Sequence, residues 1–451
     1  MSGNASQEGR LLNVLGLAFG LAGSVGGTIG AGILRTPGLV AAQLPSASLV
    51  EAAWLAGGLY ALLGVVCIAE LAASLPKAGG WCVYAEQAFG RRAALVVGFT
   101  DWLAHCIGLA WVATTVGDYL IELGASLWSV PPQLSHWGGR LIALLVLLLF
   151  SAIQLLGVRA GGASQELLSL AKAIALLGVV AACFLLPIPP GAAAAPAPPL
   201  EPHHANWLAV LLALQAVITT YDGWASPVYF AEEFDDPARD LPRSLIGGVV
   251  AVLGLYLLIN GALLHVLPLA QLASSSLPAA DAAGLLLGAA GRQLITAVAL
   301  VALLGLINTV VMAAPRILYG LGRDGLLPAF TAQVSGGGTP VPALLITSGC
   351  SALLVGVGSF ERLLGMGAFL YVGLPLSGIA ALVVLRQQQP NLPRPFRCWG
   401  YPLTPLLVGV VSLAFLVGAL LGDPLNSLLA LGLVLIGALG LEWLQRHQTP
   451  A

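Results

Sequence analysis

Apolar blocks about twenty residues long, each nearly free of charge, repeat along the whole of this chain; Leu141–Phe150 lies inside one and Leu425–Leu444 forms another. A helix that crosses a bilayer needs about 20 such residues. Of 451 residues only 8% are charged and 58% are hydrophobic, against roughly a quarter charged in soluble domains. So few charges cannot clothe a water-facing surface, and the sequence predicts an all-α polytopic protein whose partner is the lipid bilayer. The net charge of −2 gives no reason to expect nucleic acid as a partner. Leu11–Gly23 has the apolar character of a signal peptide, but that character runs on through Leu44, as in a first membrane helix.

The pattern predicts twelve spans, at about 12–44, 50–75, 93–123, 140–157, 164–187, 206–233, 243–267, 293–321, 341–357, 363–386, 404–421 and 425–444. They form a single transmembrane domain over 1–451. Gly191–Pro202 reads as an extended Ala/Pro-rich spacer, and Ala270–Ala290 as a longer loop with room for a short helix over one mouth. With both termini in the cytoplasm, nearly all basic residues fall inside and only Arg140, Arg292 and Arg362 outside, as the positive-inside rule requires. Cys67, Cys82, Cys106, Cys183, Cys350 and Cys398 fall in apolar spans or inner loops, so no disulfide framework is expected.

The first span contains Gly23, Gly26, Gly27, Gly30 and Gly32. Each glycine inside a helix costs about 1 kcal/mol against alanine, so a break is expected around Thr28–Gly32. The sixth span is interrupted at Thr219–Ala225, with Asp222 and Gly223 at mid-membrane depth and Pro227 just beyond. The two breaks hold matching places if 12–187 and 206–386 are two five-helix repeats followed by two additional helices in 404–444. Interrupted helices at matching positions point to a transporter's binding site. A break leaves unpaired N–H groups on one helix end and unpaired C=O groups on the other. The N–H groups of Ala31, Gly32 and Ile33 suit a carboxylate, and the C=O groups of Thr28 and Thr219 suit an ammonium; an α-amino acid carries both. The competing reading gives these glycines to close helix packing.

Several segments stand out along the chain: Ile29-Gly-Ala-Gly-Ile-Leu-Arg-Thr-Pro-Gly38, Ala69-Glu-Leu-Ala-Ala-Ser-Leu-Pro-Lys-Ala-Gly-Gly-Trp-Cys-Val-Tyr84 and Gly157-Val-Arg-Ala-Gly-Gly162 with Gln165 and Lys172. Tyr221-Asp-Gly-Trp224, Pro237-Ala-Arg-Asp-Leu-Pro-Arg243 and Gly322-Arg-Asp-Gly-Leu-Leu-Pro328 continue the series in order. Together they resemble the amino acid–polyamine–organocation transporter superfamily, in its amino acid permease branch related to L-amino acid transporters. The resemblance implies a LeuT-type 5+5 inverted repeat with helices 1 and 6 interrupted, two extra C-terminal helices, and alternating access in a plasma membrane, for a bacterial chain the inner membrane. It implies a substrate carboxylate on Gly30–Ile33, next to Ile29, and an amino group near Thr28, Thr219 and Tyr221, with Asp222 and Gly223 in the second break. It implies no cofactor. Position 219, a bulky aromatic gate in several eukaryotic relatives, is threonine here. Gly124–Gly139 lacks the cysteine by which heteromeric relatives tether a glycoprotein, so no disulfide-linked heavy chain is expected.

Ionisable groups within spans cost roughly 2.5–3.5 kcal/mol at the bilayer centre and read first as functional. Lys172 matches the family's fifth-helix lysine and would put an ammonium where Na⁺-coupled relatives of this fold hold a cation, against the carbonyls of the first break. Na⁺-independent transport is expected, by proton symport or by exchange, with H⁺ as a candidate partner. The alternative is a fixed structural cation. Asp101 and His105 share a face of span 3, either as a relay or specificity pair or as a self-satisfied buried pair; two residues make no metal site. Asp222 either contacts substrate or caps an unwound end. Glu70, Glu232, Glu233 and Arg316 lie near cytosolic helix ends, where fixed ion pairs are expected; the alternative is a salt-bridged inner gate. No nucleophile–base pair or His-Glu-x-x-His motif is present, which argues against an enzyme. A polyamine or other organic-amine permease should carry more inward-facing acids, and a non-transporting sensor of this fold should add a signalling domain beyond these short tails.

Overall fold

The computed structural model describes residues 11–128, 135–188, 207–358 and 360–448. Gly191–Pro202 lies outside them, as does part of Gly124–Gly139. The described chain is helical throughout, and one isolated bridge, Leu15 to Phe234, is its nearest approach to a sheet. Helix α1 (Leu17–Thr28) is followed after three residues by α2 (Gly32–Gln43), bent from it by 47°. Then come α3 (Ala47–Ser74), α4 (Trp81–Phe89), α5 (Arg91–Trp128), α6 (Ser135–Leu155), α7 (Val158–Leu185) and α8 (Trp207–Tyr221). A 3-10 segment, Ser226–Glu233, leads into α9 (Pro237–Val266), α10 (Leu269–Ser274), α11 (Pro278–Leu287) and α12 (Ala289–Arg323). After a short 3-10 turn, α13 (Val341–Val357), α14 (Phe360–Gln388), α15 (Leu403–Gly422) and α16 (Pro424–Gln448) complete the chain.

Among the described residues nine helices are long and apolar enough to cross a membrane, ten when α1 and α2 count as one bent span. The remaining two expected spans fall on shorter helices. α8 has 15 residues because the chain unwinds after Tyr221, and α13 has 17. α10 and α11 are the short helices for which Ala270–Ala290 left room, and both pack on α2.

Local chemistry sets the ends. Ser46 accepts the Leu49 amide at 3.4 Å to start α3, and Asp236 accepts that of Arg239 at 3.3 Å to start α9, with Pro237 in the first turn where its missing N–H costs nothing. Gly80 (φ 65°) and Gly90 (φ 87°) bracket α4 with backbone that side chains rarely adopt. α7 begins at Val158 and not near 164, so Lys172 lies about four turns into it and deeper than the sequence suggested. α1 begins at Leu17; the preceding residues run extended beside 233–235, with Leu15 N donating to Glu233 O and Asp235 N donating to Leu15 O, both at 3.0 Å.

The interior is built by α1, α3, α5 and α12, against which α7, α9 and α14 pack. α6, α15 and α16 sit outside. They expose Leu148, Leu149, Leu406, Leu421 and Ile436, an apolar surface that only lipid covers without penalty. Ion pairs gather at the helix ends expected to face the cytosol. Arg316 grips Glu233 through two hydrogen bonds (2.5 and 2.9 Å), both side chains buried. Glu70 joins Arg386, Arg394 and the Cys398 amide, and Glu232 joins Arg323.

Candidate functional site

The two breaks cross. Gly223, at φ 103°, lies so close to Gly27 that a Cβ on either would stand 2.2–2.5 Å from the other's carbonyl oxygen. Only glycine permits that approach. Gly26 is equally crowded, by Gln165 and Ser169 of α7, and Gly20 by Ser244 of α9. Gly30 and Gly32 are different. A Cβ there would find ordinary contacts, 3.5 Å to Leu306 and 3.4 Å to Thr220. The glycine run therefore divides: its first half makes the helices meet, and its second half leaves backbone bare.

That bare backbone borders a cavity of about 290 Å³, near the lower end of the size range of small-ligand sites. Gly27, Thr28 and Gly30–Gly32 form one wall, 219–224 the facing wall, and His105, Trp111 and Tyr371 close the side. The amides of Gly32 and Ile33 open α2 and have no acceptor within the helix; Leu34 N already bonds Ala31 O at 3.1 Å. Gly32 is exposed. Of the sequence candidates, Thr28, Gly30, Ala31, Gly32, Thr219, Tyr221, Asp222 and Gly223 line the cavity. Ile29 and Ile33 do not, since both side chains are buried in the core. The Tyr221 hydroxyl is committed to Trp54 O at 3.2 Å, and Thr219 Oγ1 to Gln215 O at 2.5 Å.

The carbonyl end of α1 is partly occupied. Lys172 Nζ, wholly buried, donates to Gly26 O (2.7 Å) and Ile29 O (3.0 Å). No carboxylate pairs with it among the described residues, so the negative end of the helix dipole is its counter-charge. Gly305 of α12 gives it room. Asp101 and His105 do pair, at 3.1 Å; His105 lines the cavity, and Asp101 lies behind it, fully buried. Arg35 is exposed beyond the break.

Sequence reasoning passed over Tyr256 of α9, whose hydroxyl reaches Thr28 O (3.1 Å) and Thr220 O (3.2 Å) and so bridges both breaks. A tyrosine in an apolar span gave no distinctive signal. It also took Gln165 and Lys172 only as part of a resemblance and passed over the polar stripe they form with Ser169 on α7. Gln165 and Ser169 precede Lys172 on one helical face, and both bond Ala22 O of α1. Gln165 further accepts from Asn308 of α12, which in turn accepts from Gln154 of α6. Spacing i, i+4, i+7 within an apolar helix is the signal that could have found it.

The amino acid permease family model matches residues 11–435 of this chain. The chain belongs to the amino acid permease family. Relatives of this permease include the serine/threonine exchanger SteT of Bacillus subtilis, 27% identical over 97% of each chain. The Asc-type amino acid transporter 1 of Mus musculus is 28% identical over 97% of this chain and 83% of its own. The large neutral amino acids transporter small subunit 2 of Homo sapiens is 28% identical over 93% and 78%. The permease is therefore a multi-pass membrane transporter of amino acids and not an enzyme.

Proposed function

We propose that this permease carries α-amino acids across a plasma membrane, the inner membrane in a bacterium, by alternating access. The substrate carboxylate sits on the free amides at the start of α2, and its ammonium near the carbonyls of Thr28 and the Thr219 turn. The observation that carries this reading is the cavity enclosed by the two breaks, which opposes helix ends of opposite partial charge across a space of small-ligand size. Thr28 O already accepts from Tyr256, but a carbonyl has a second lone pair.

The same reading takes α8 with its 3-10 continuation and α13 as the two short spans, giving twelve. Residues 12–187 and 206–386 then form inverted five-helix repeats and 404–444 two added helices, with N and C termini cytoplasmic. Transport is Na⁺-independent, by proton symport or exchange, since Lys172 already supplies a cation to the end of α1. Exchange draws support from the relative named as a serine/threonine exchanger. No heavy chain is tethered by disulfide. Purified protein in proteoliposomes, offered an amino acid panel with and without a proton gradient, sodium or internal substrate, tests the substrate class and the coupling. Amino acid uptake stimulated by a proton gradient or by internal substrate, and indifferent to sodium, is expected. Strict sodium dependence would overturn the coupling, and failure with every amino acid the substrate class.

A further inference from the structure

One side chain on the cavity wall is held as if to be read from inside the cavity. Trp81 Nε1 of α4 donates to Tyr229 Oη at 3.0 Å, and Tyr229 Oη donates to Asp101 Oδ1, also at 3.0 Å. His105 Nδ1 lies 3.1 Å from the same oxygen and 2.8 Å from the Asp101 carbonyl. All four side chains are buried, Asp101 completely. The groups facing Nδ1 are a carboxylate and a carbonyl, both acceptors, so the hydrogen-bond network assigns a proton to Nδ1; in the neutral ring Nε2 is then an acceptor. The ring is wedged edge-on between Tyr229 (centroids 5.0 Å, 82°) and Tyr371 (5.7 Å, 68°), which stops it turning over. Nε2 has no protein partner among the described residues, and the imidazole borders the cavity.

A pair that served only to lock α5 to its neighbours would end at Asp101, whose Oδ1 takes Tyr229 and His105 and whose Oδ2 has no partner among the described residues. It would not need the imidazole on the cavity wall with its second nitrogen free. We infer that His105 Nε2 reads the substrate's side chain, accepting a hydrogen bond from a hydroxyl, so that the cavity selects short hydroxylated amino acids over aliphatic ones of the same shape. Asp101 is a positioning residue that holds the tautomer. This rests on the amino acid reading above and specifies the far end of that site.

Initial rates in proteoliposomes, with L-serine competed against L-alanine and L-threonine against L-valine, give kcat/KM ratios within pairs that differ chiefly by the hydroxyl. One net hydrogen bond predicts that the wild type favours the hydroxylated member roughly three- to tenfold. His105→Phe, which keeps the ring and loses the nitrogen, brings both ratios to about one. His105→Gln, which restores an acceptor oxygen, recovers part of the preference. Asp101→Asn lowers the ratio less than His105→Phe does, because the Asp101 carbonyl still holds the Nδ1 proton. Comparable elution and melting of each variant establish that it is folded, and the ratio is a readout that a purely structural role would not move. No hydroxyl preference in the wild type, or an unchanged one in His105→Phe, overturns the inference while the amino acid reading stands. Uptake of no amino acid at all overturns that reading and this inference with it.

Discussion

Alanine substitutions along the first helix separate the two jobs assigned to its glycines. At Gly27 a methyl group would stand 2.2 Å from Ser226 Oγ and 2.5 Å from Gly223 O. The serine can turn away, but the carbonyl is backbone at the other break, and relieving the clash means parting the two crossing helices by nearly an ångström. Overpacking of this kind costs about 1–3 kcal/mol and occasionally more. At Gly30 the new methyl is 3.5 Å from Leu306 Cδ2, an ordinary contact, so the fold should lose almost nothing. What the Gly30 methyl does occupy is space beside the free amides. The assay is a melting curve in detergent with a substrate titration on each variant. Gly27→Ala should melt several degrees lower. Gly30→Ala should melt within a degree or two of wild type and yet bind substrate at least tenfold more weakly. Equal destabilisation by both, or a Gly30→Ala protein with normal affinity, would refute the division.

Two further outcomes follow from the same contacts. Lys172→Ala leaves Gly26 O and Ile29 O without their donor, and charged hydrogen bonds are worth about 1.5–3 kcal/mol each; uptake should fall at least tenfold and, where transport is proton-coupled, cease to respond to pH. Liposomes in which that variant transports like wild type, with pH response intact, would remove Lys172 from coupling. Arg316→Met strands the buried Glu233 carboxylate and should cost about 3–5 kcal/mol, whereas Arg316→Met with Glu233→Gln should recover much of it. Chemical denaturation of the two variants compares the losses, and equal losses would contradict the pairing.

Much of this was legible in the sequence because the bilayer allows few solutions. Apolar runs near twenty residues can only be spans, and glycines clustered inside one can only weaken it. Position along the chain could not say which glycine did what. Gly27 and Gly30 look alike as letters, and only the crossing with Gly223 separates them. Lys172 was conspicuous because a cation in lipid demands an explanation; its meeting with the α1 carbonyls was implied by the family resemblance, and the helix dipole gives the physical reason for it. Tyr256 was invisible for the opposite reason, since a tyrosine among leucines has many uses and its partners lie 228 and 36 residues away in the chain. The extended pairing of Leu15 with Phe234 was hidden because Leu15 fell inside the apolar run read as the first span and Phe234 just past the sixth. Ile29 and Ile33 belong to the breaks through their backbone alone, since their side chains lie in the core.

A competition experiment with blocked amino acids bears most directly on the opposed helix ends. Uptake of a transported L-amino acid is measured against its amide, its methyl ester, its N-acetyl derivative and the parent zwitterion. The zwitterion alone should compete at its own transport affinity, with each blocked form at least a hundredfold weaker, because each lacks one of the two charges that the α2 amides and the α1 carbonyls receive. Equal competition by the ester or the N-acetyl form would mean that one helix end takes no part in holding the substrate.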